Sequence, residues 1–315
     1  MRIAVLDDYQ QVALAMANWQ PVLDRAEIDS FADHVSEADE LVARLAPYDV
    51  VVVMRERTPL PAEVIEQLPR LRLVVTTGRR NPTIDVEAAR DRSIPVCGTR
   101  SLASAPVELT WALILGLSRH LVTEANAMHS GGWQTTVGTD LAGRTLGVVG
   151  LGRTGSAVAR IGLAFGMRVI AWSTNLTEER AKDVGVDAVS FETLLEQSDV
   201  VTIHQVLSER TRGLVGAREL GVMKPGALLV NTSRGPIVDT EALLAALQGD
   251  RLGGAGLDVY DEEPLPPHHP LRTAPHTLLT PHLGYVTEGV YRTFFGDVVE
   301  ALVAFLDGGP LPRQL

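Results

Sequence analysis

The chain has a single cysteine, Cys97, so it can form neither an internal disulfide framework nor a multi-cysteine metal site. A reduced, cytoplasmic setting and no metal centre are the corresponding expectations. Positive charge is also scarce. The formal net charge is −11 and no long basic run occurs. Non-specific nucleic-acid binding works by neutralising phosphates, so nucleic acid is not an expected partner. Long apolar runs are absent as well: the longest, LTWALILGLS, is about half of what a spanning helix needs. MRIAVLDDYQ reaches Asp7 and Asp8 too early for a signal-peptide core. A soluble protein without a membrane partner is expected.

What is present is a regular alternation. At 315 residues the chain exceeds one comfortable core, so two domains are expected. RIAVLDD, DVVVVMRE, LRLVVTTG and IPVCGT read as strands, with the helical patterns ADELVARLAP and PAEVIEQLPR between them. A long helical stretch, SAPVELTWALILGLSRHLVTEANAMHSG, leads to a second series of strands: LGVVG, RVIAW, DVVTI, ALLVN, GAGLD and TLLT. This β/α order predicts an α/β fold with mainly parallel sheets. EGVYRTFFGDVVEALVAFLDGG reads as a closing amphipathic helix. In the second series Ser173, His204, Arg234, Asp258 and His282 all fall just after strand ends, where ligands of open parallel sheets sit.

VVGLGRTGSAVAR places Gly150, Gly152 and Gly155 in a G-x-G-x-x-G turn between a strand and a helix. The first glycine allows the tight turn, the second lets a pyrophosphate approach, and the third lets the helix press onto its strand. The helix start, with Arg153 and Thr154, then offers free N–H groups to phosphates. About twenty residues on, in RVIAWSTN, an acid that would accept from a ribose diol is missing, and Ser173 stands there. An acid would repel a 2′-phosphate by about 6 kcal/mol before screening, at ~5 Å and an effective dielectric of ~20. Ser173 removes both the diol acceptor and the repulsion. No basic residue follows until Arg180, so NAD is the expected cofactor, with NADP left open.

Three further segments, MKPGALLVNTSRGPIVD, GLDVYDEEPL and TPHLG, follow the GLGRTG turn in order. With it they resemble the D-isomer-specific 2-hydroxyacid dehydrogenase family across nearly the whole chain, most strongly over residues 143–285. The resemblance implies hydride transfer between a nicotinamide and C2 of a 2-hydroxy or 2-keto acid. By it, Arg234 would clamp the substrate carboxylate and His282 would exchange the proton at the C2 oxygen. Glu263 would pair with His282 and keep imidazolium available. Asp258 would accept from the nicotinamide carboxamide, and Thr232 and Val206 would lie along the cofactor.

The resemblance also implies a discontinuous layout of two doubly wound domains. Residues 1–100 and 286–315 would form a flavodoxin-like substrate domain, with a Rossmann cofactor domain, 101–285, inserted between them. A cleft between the two would close on substrate. TEANAMHSGGWQTTVGTDLAG resembles the family's dimerisation arm, which implies a homodimer.

The chain departs from the family in two places. The substrate loop, usually G-x-G, is TTGRRNPTID, which keeps Gly78 and puts Arg80 where the second glycine falls. Arg55, in VMRERTPL, together with Arg79 and Arg80, is a candidate for a second anionic or polar group on the substrate. In IHQVLSERTRGLVG, Gln205 and Val206 occupy a stretch where the family has proline. The same fold also serves dinucleotide-sensing co-repressors, and an interaction protein of that kind is the alternative function.

Overall fold

The computed structural model describes residues 1–315. The chain opens with β1 (Arg2–Val5), α1 (Gln20–Leu23), β2 (Glu27–Ser30), α2 (Ala38–Leu45), β3 (Val50–Val53), α3 (Ala62–Glu66), β4 (Leu73–Thr76), α4 (Val86–Asp91) and β5 (Val96–Cys97). These strands form a parallel sheet in the order β2-β1-β3-β4-β5. β3 and β4 are buried at every residue, as unbroken apolar runs should be in a sheet covered on both faces. Pro47 and Pro69 follow the ends of α2 and α3, where a ring without an N–H cannot continue a helix. β2 has no apolar alternation to announce it. It is an edge strand whose Asp29 accepts from Arg2 and Tyr48 at 2.8 Å each.

The second series comprises α5 (Ser104–Ser118), α6 (Leu121–His129), β6 (Thr145–Val149), α7 (Arg153–Ala164), β7 (Arg168–Trp172), α8 (Glu178–Val184), β8 (Asp187–Ala188), α9 (Phe191–Gln197) and β9 (Val200–Ile203). It continues through α10 (Ala217–Val222), β10 (Leu228–Asn231), α11 (Thr240–Gln248), β11 (Gly254–Leu257) and β12 (Thr277–Leu279). The long helix expected after residue 103 is two helices. The chain breaks at His120, whose φ is +50°; α5 is mostly buried and α6 buries nothing, so the chain leaves the core at that point.

All seven strands are parallel, in the order β12-β11-β10-β9-β6-β7-β8. Leu194, Leu220 and Leu243 of α9–α11 enter one core cluster, and Trp111, Ile114 and Val158 of α5 and α7 enter another. Gly162 lets α7 lie close to the sheet, since a Cβ there would stand 2.8 Å from Leu146.

The last helix, α12 (Glu288–Leu306), returns to the first series. Contacts group Met1–Leu102 with Val286–Leu315 as one compact unit and Ala103–Tyr285 as the other. In the first unit α12 packs on α1, with the Trp19 and Phe295 rings 6.2 Å apart. The terminal residues then pair with β5: Gly98 N–H donates to Arg313 O, and Leu315 N–H to Val96 O. No helix is long and apolar enough to cross a membrane.

Strand order reverses between β1 and β3 in the first sheet and between β6 and β9 in the second. In open parallel sheets the crevice at such a point, beyond the carboxyl ends of the strands, is the natural ligand site.

Candidate active site

β6 runs into the glycine turn fully buried. Gly150, at φ +105°, lies so close to the end of β9 that a Cβ would stand 2.6 Å from His204 O. Gly155 is tighter still, its Cβ position lying 2.0 Å from Gly150 O. Both are needed by the chain's own packing. Gly152 is different. It precedes Arg153 and Thr154 at the start of α7, and a Cβ on it would meet nothing within 4 Å. No acid occupies the first turn of this 12-residue helix. Free N–H donors, the positive end of the helix dipole and open space at Gly152 together suit a pyrophosphate.

Ser173 is tied into this turn. Its hydroxyl accepts from Leu151 N–H at 2.8 Å and so fastens the glycine loop to the end of β7. At the end of β9, His204 Nε2 lies 3.0 Å from Thr202 Oγ1, and burial pushes its imidazole down to about 4. Val206, by contrast, is 82% exposed.

After β10, Thr232 pairs with Thr110 of α5 at 2.9 Å. Asn231 Nδ2 donates to Arg234 O, and Ser233 Oγ donates to Ile203 O, which fixes the loop bearing Arg234. Gly235 then presses on the next loop, its Cβ position 2.1 Å from the Tyr260 carbonyl carbon. That contact sets Arg234 beside the segment carrying Glu263. Glu263 Oε1 accepts from Tyr260 N–H at 2.9 Å, and Oε2 lies 2.5 Å from His282 Nδ1. Burial pushes the Glu263 carboxyl up, but the His282 bond and charge, the Tyr260 N–H and Arg234 outweigh it and hold the group below its ordinary range. The Tyr285 ring meets the His282 ring edge-on at 5.4 Å.

Asp258 is fully buried, and its carboxylate already accepts from Thr280 Oγ1, Leu283 N–H and Gly284 N–H at 2.6–2.8 Å. Burial pushes this carboxyl above its usual range, against the pull of those bonds. These three bonds make Asp258 an anchor of the His282 loop. Sequence reasoning missed Tyr260 and Thr280. Tyr260 OH donates to Thr280 O at 2.9 Å, so it joins the loops of Glu263 and His282. Nothing local in the sequence marks these two residues, because their partners lie about twenty positions away.

In the first unit, Arg55, Gly78, Arg79 and Arg80 gather at the ends of β3 and β4. Gly78 N–H donates to Thr99 Oγ1 at 2.7 Å, which ties the loop down. The N–H groups of Arg79 and Arg80 donate to no group of the chain. Arg55 lies over Gly78, with a guanidinium nitrogen 2.5 Å from the Cβ position, and pairs with Glu56 at 3.5 Å. Asn81 holds the loop. Its Oδ1 accepts from Thr83 N–H and its Nδ2 donates to Thr76 Oγ1 at 3.0 Å each. Asn before Pro in RRNPT is the local signal for such a turn.

A family model described as "D-isomer specific 2-hydroxyacid dehydrogenase, NAD binding domain" matches residues 111–284. The chain belongs to this family. It is 41% identical over 264 residues to glyoxylate reductase from Aeropyrum pernix, covering 81% of this chain and 79% of that one. To D-3-phosphoglycerate dehydrogenase from Bacillus subtilis it is 35% identical over 93% of its length, but spans only 55% of that protein. A solved phosphoglycerate oxidoreductase from Vibrio cholerae superposes with a TM-score of 0.93 at 36% identity, covering 98% and 100% of the two chains. The protein is therefore an NAD-dependent oxidoreductase acting between 2-hydroxy and 2-keto acids, and a co-repressor-like role is not favoured. The glycine turn fits the dinucleotide, since its packing glycines and its open one divide as pyrophosphate binding requires.

Proposed function

We propose that Arg234, Glu263 and His282 carry the reaction, on small 2-keto acids of the glyoxylate kind. The carrying observation is the 2.5 Å bond between His282 Nδ1 and Glu263 Oε2. With Nδ1 engaged, Nε2 is the nitrogen that exchanges a proton with the substrate's C2 oxygen. Glu263 holds the ring orientation and stabilises imidazolium. Arg234 binds the carboxylate through its planar fork and draws charge from the carbonyl. NAD held by the glycine turn would supply or take the hydride at C2. The larger unit serves NAD, through Gly150, Gly152, Arg153, Thr154, Gly155, Ser173, Thr232 and Val206. The smaller unit serves the substrate, with the loop of Gly78, Arg79 and Arg80 beside Arg55 as its anion-binding element.

The working form in this reading is a cytoplasmic homodimer. The support is α6 and the segment after it, where Leu121, Val122, Met128, Trp133 and Val137 are all more than half exposed. Such an apolar surface is a candidate subunit contact. Glu124 keeps that segment in shape, accepting from Thr135 and Thr136 hydroxyls at 2.8 and 2.6 Å.

The test is initial-rate oxidation of NADH and NADPH against glyoxylate, hydroxypyruvate, phosphohydroxypyruvate, pyruvate and branched keto acids. Glyoxylate should turn over with NADH. His282→Asn should lower kcat by about 10²–10⁴-fold while NADH affinity stays within about twofold. A variant that keeps its kcat would remove His282 from the reaction.

A further inference from the structure

Tyr260 follows β11 and is 8% exposed. Its N–H donates to Glu263 Oε1 at 2.9 Å. Its hydroxyl donates to Thr280 O at 2.9 Å, with Leu257 O a second acceptor at 3.2 Å. Thr280 O also accepts from His282 N–H at 3.0 Å, and Glu263 Oε2 lies 2.5 Å from His282 Nδ1. The four bonds close on themselves. They run from Tyr260 N–H to Glu263, from Glu263 to His282, from His282 N–H to Thr280 O, and from Thr280 O back to the Tyr260 hydroxyl. His282 has φ +53°, a left-handed conformation uncommon outside glycine, so its partners rather than its own preference hold its backbone there. A phenylalanine at position 260 would fill nearly the same volume and leave this ring of bonds open at one corner.

We propose that Tyr260 is the positioning residue of the Glu263–His282 pair, holding the carboxylate through its N–H and the His282 segment through its hydroxyl. Its bearing on turnover rests on the reading of that pair as the proton-exchanging group. The phenol is not itself the acid. Burial and the Asp258 and Glu263 carboxylates push it far above its ordinary range, so it stays a donor wherever an imidazole titrates. The charged groups around the ring are Asp258, Glu263 and Arg272 about Tyr260, and Arg234 and His282 about Glu263. Asp258 braces the same turn through Thr280 Oγ1 at 2.6 Å, so losing the phenol hydroxyl loosens the ring of bonds without unfolding the loop.

The experiment compares the wild type with Tyr260→Phe, which removes the hydroxyl and keeps the aromatic ring. Tyr48→Phe, which breaks the phenol bond to Asp29 in the smaller unit, is the control for stability alone. Proton NMR reads the His282 Nδ1–H, assigned by its loss in His282→Asn, and initial rates of glyoxylate reduction give the pH profile of kcat. In Tyr260→Phe the Nδ1–H resonance should move upfield and exchange faster with water. There kcat should fall about 3–10-fold at unchanged NADH affinity, and its alkaline limb, where imidazolium is lost, should move down by about 0.3–1 pH unit. Tyr48→Phe should lower Tm by a comparable amount and leave both the resonance and the limb in place. An unmoved resonance in Tyr260→Phe would overturn the proposal. So would an equal response in Tyr48→Phe, which makes Tyr260 a packing residue. Where His282→Asn keeps its kcat, the resonance alone decides: its response upholds Tyr260 as the holder of the pair, while the pair's part in the reaction is withdrawn.

Discussion

The two sheets begin alike, with a first strand at the point of reversal and a turn at its carboxyl end, yet the turns are built on opposite plans. After β1 the chain reads LDDYQ. Asp8, 2% exposed, accepts from Val12 N–H at 3.0 Å, Ala13 N–H at 3.1 Å and Ser30 Oγ at 2.8 Å. After β6 it reads GLGRTG, with no acid in the first turn of α7 and open space at Gly152. One turn supplies its own anion, and the other leaves its donors for a foreign one. A phosphate site in this fold is thus a cap that the chain does not fill for itself.

The largest effect should come from erasing that difference. Gly152→Asp would set a carboxylate at the N-cap of α7, where its extended backbone (φ −83°, ψ −161°) admits any residue. NADH affinity should fall at least about 100-fold by charge repulsion, while the ligand-free Tm holds or rises. A variant that still binds NADH tightly would break the comparison. Gly155→Ala comes next. Its new methyl has nowhere to go against Gly150 O, so stability should drop by about 1–3 kcal/mol, with NADH binding lost alongside. Chemical denaturation monitored by tryptophan fluorescence separates the two glycines. If Gly152→Ala melts as low as Gly155→Ala, the space at Gly152 is not open.

Asp8→Asn sharpens the comparison from the other sheet. It should cost about 1–2 kcal/mol, because a charged acceptor of three bonds is weakened, and should leave NADH affinity unchanged. A further, graded effect concerns pH. His204 is held near 4 against an ordinary 6.5, so between those values the unfolded chain binds more protons than the native one. Stability should therefore decline as pH falls from 6.5 toward 4. Glu263, held below its ordinary range, adds a further loss as pH falls below that range. His204→Gln should flatten the upper part of this decline in thermal melts across the window, and an unflattened profile would assign the acid sensitivity elsewhere.

Much of this was legible in the sequence for a physical reason. Strands buried on both faces must be apolar runs, and the alternation of VVVV and LVVT with helical periods announced the parallel sheets. The glycine turn was legible because steric need at Gly150 and Gly155 admits one residue type. Arg234, Glu263 and His282 stood out through the order of their motifs, and their geometry brings the latter two within one hydrogen bond. What stayed hidden depends on distant partners. β2 is a polar edge strand, the break at His120 follows from where the chain leaves the core, and Gly78 N–H is claimed by Thr99 across 21 positions. That Asp258 anchors the loop of His282 was hidden too, because its donors Thr280, Leu283 and Gly284 lie more than twenty positions on.

The larger unit is one continuous stretch, Ala103–Tyr285, set into a smaller unit whose last piece is Val286–Leu315. During synthesis the seven-stranded sheet can therefore be complete before α12 has been translated. The five-stranded sheet, made first, must wait some 180 residues for the helix that carries Phe295 onto Trp19. The first-born unit is the last to finish, and its exposed α1 face is where a ribosome-bound chain would need protection from aggregation.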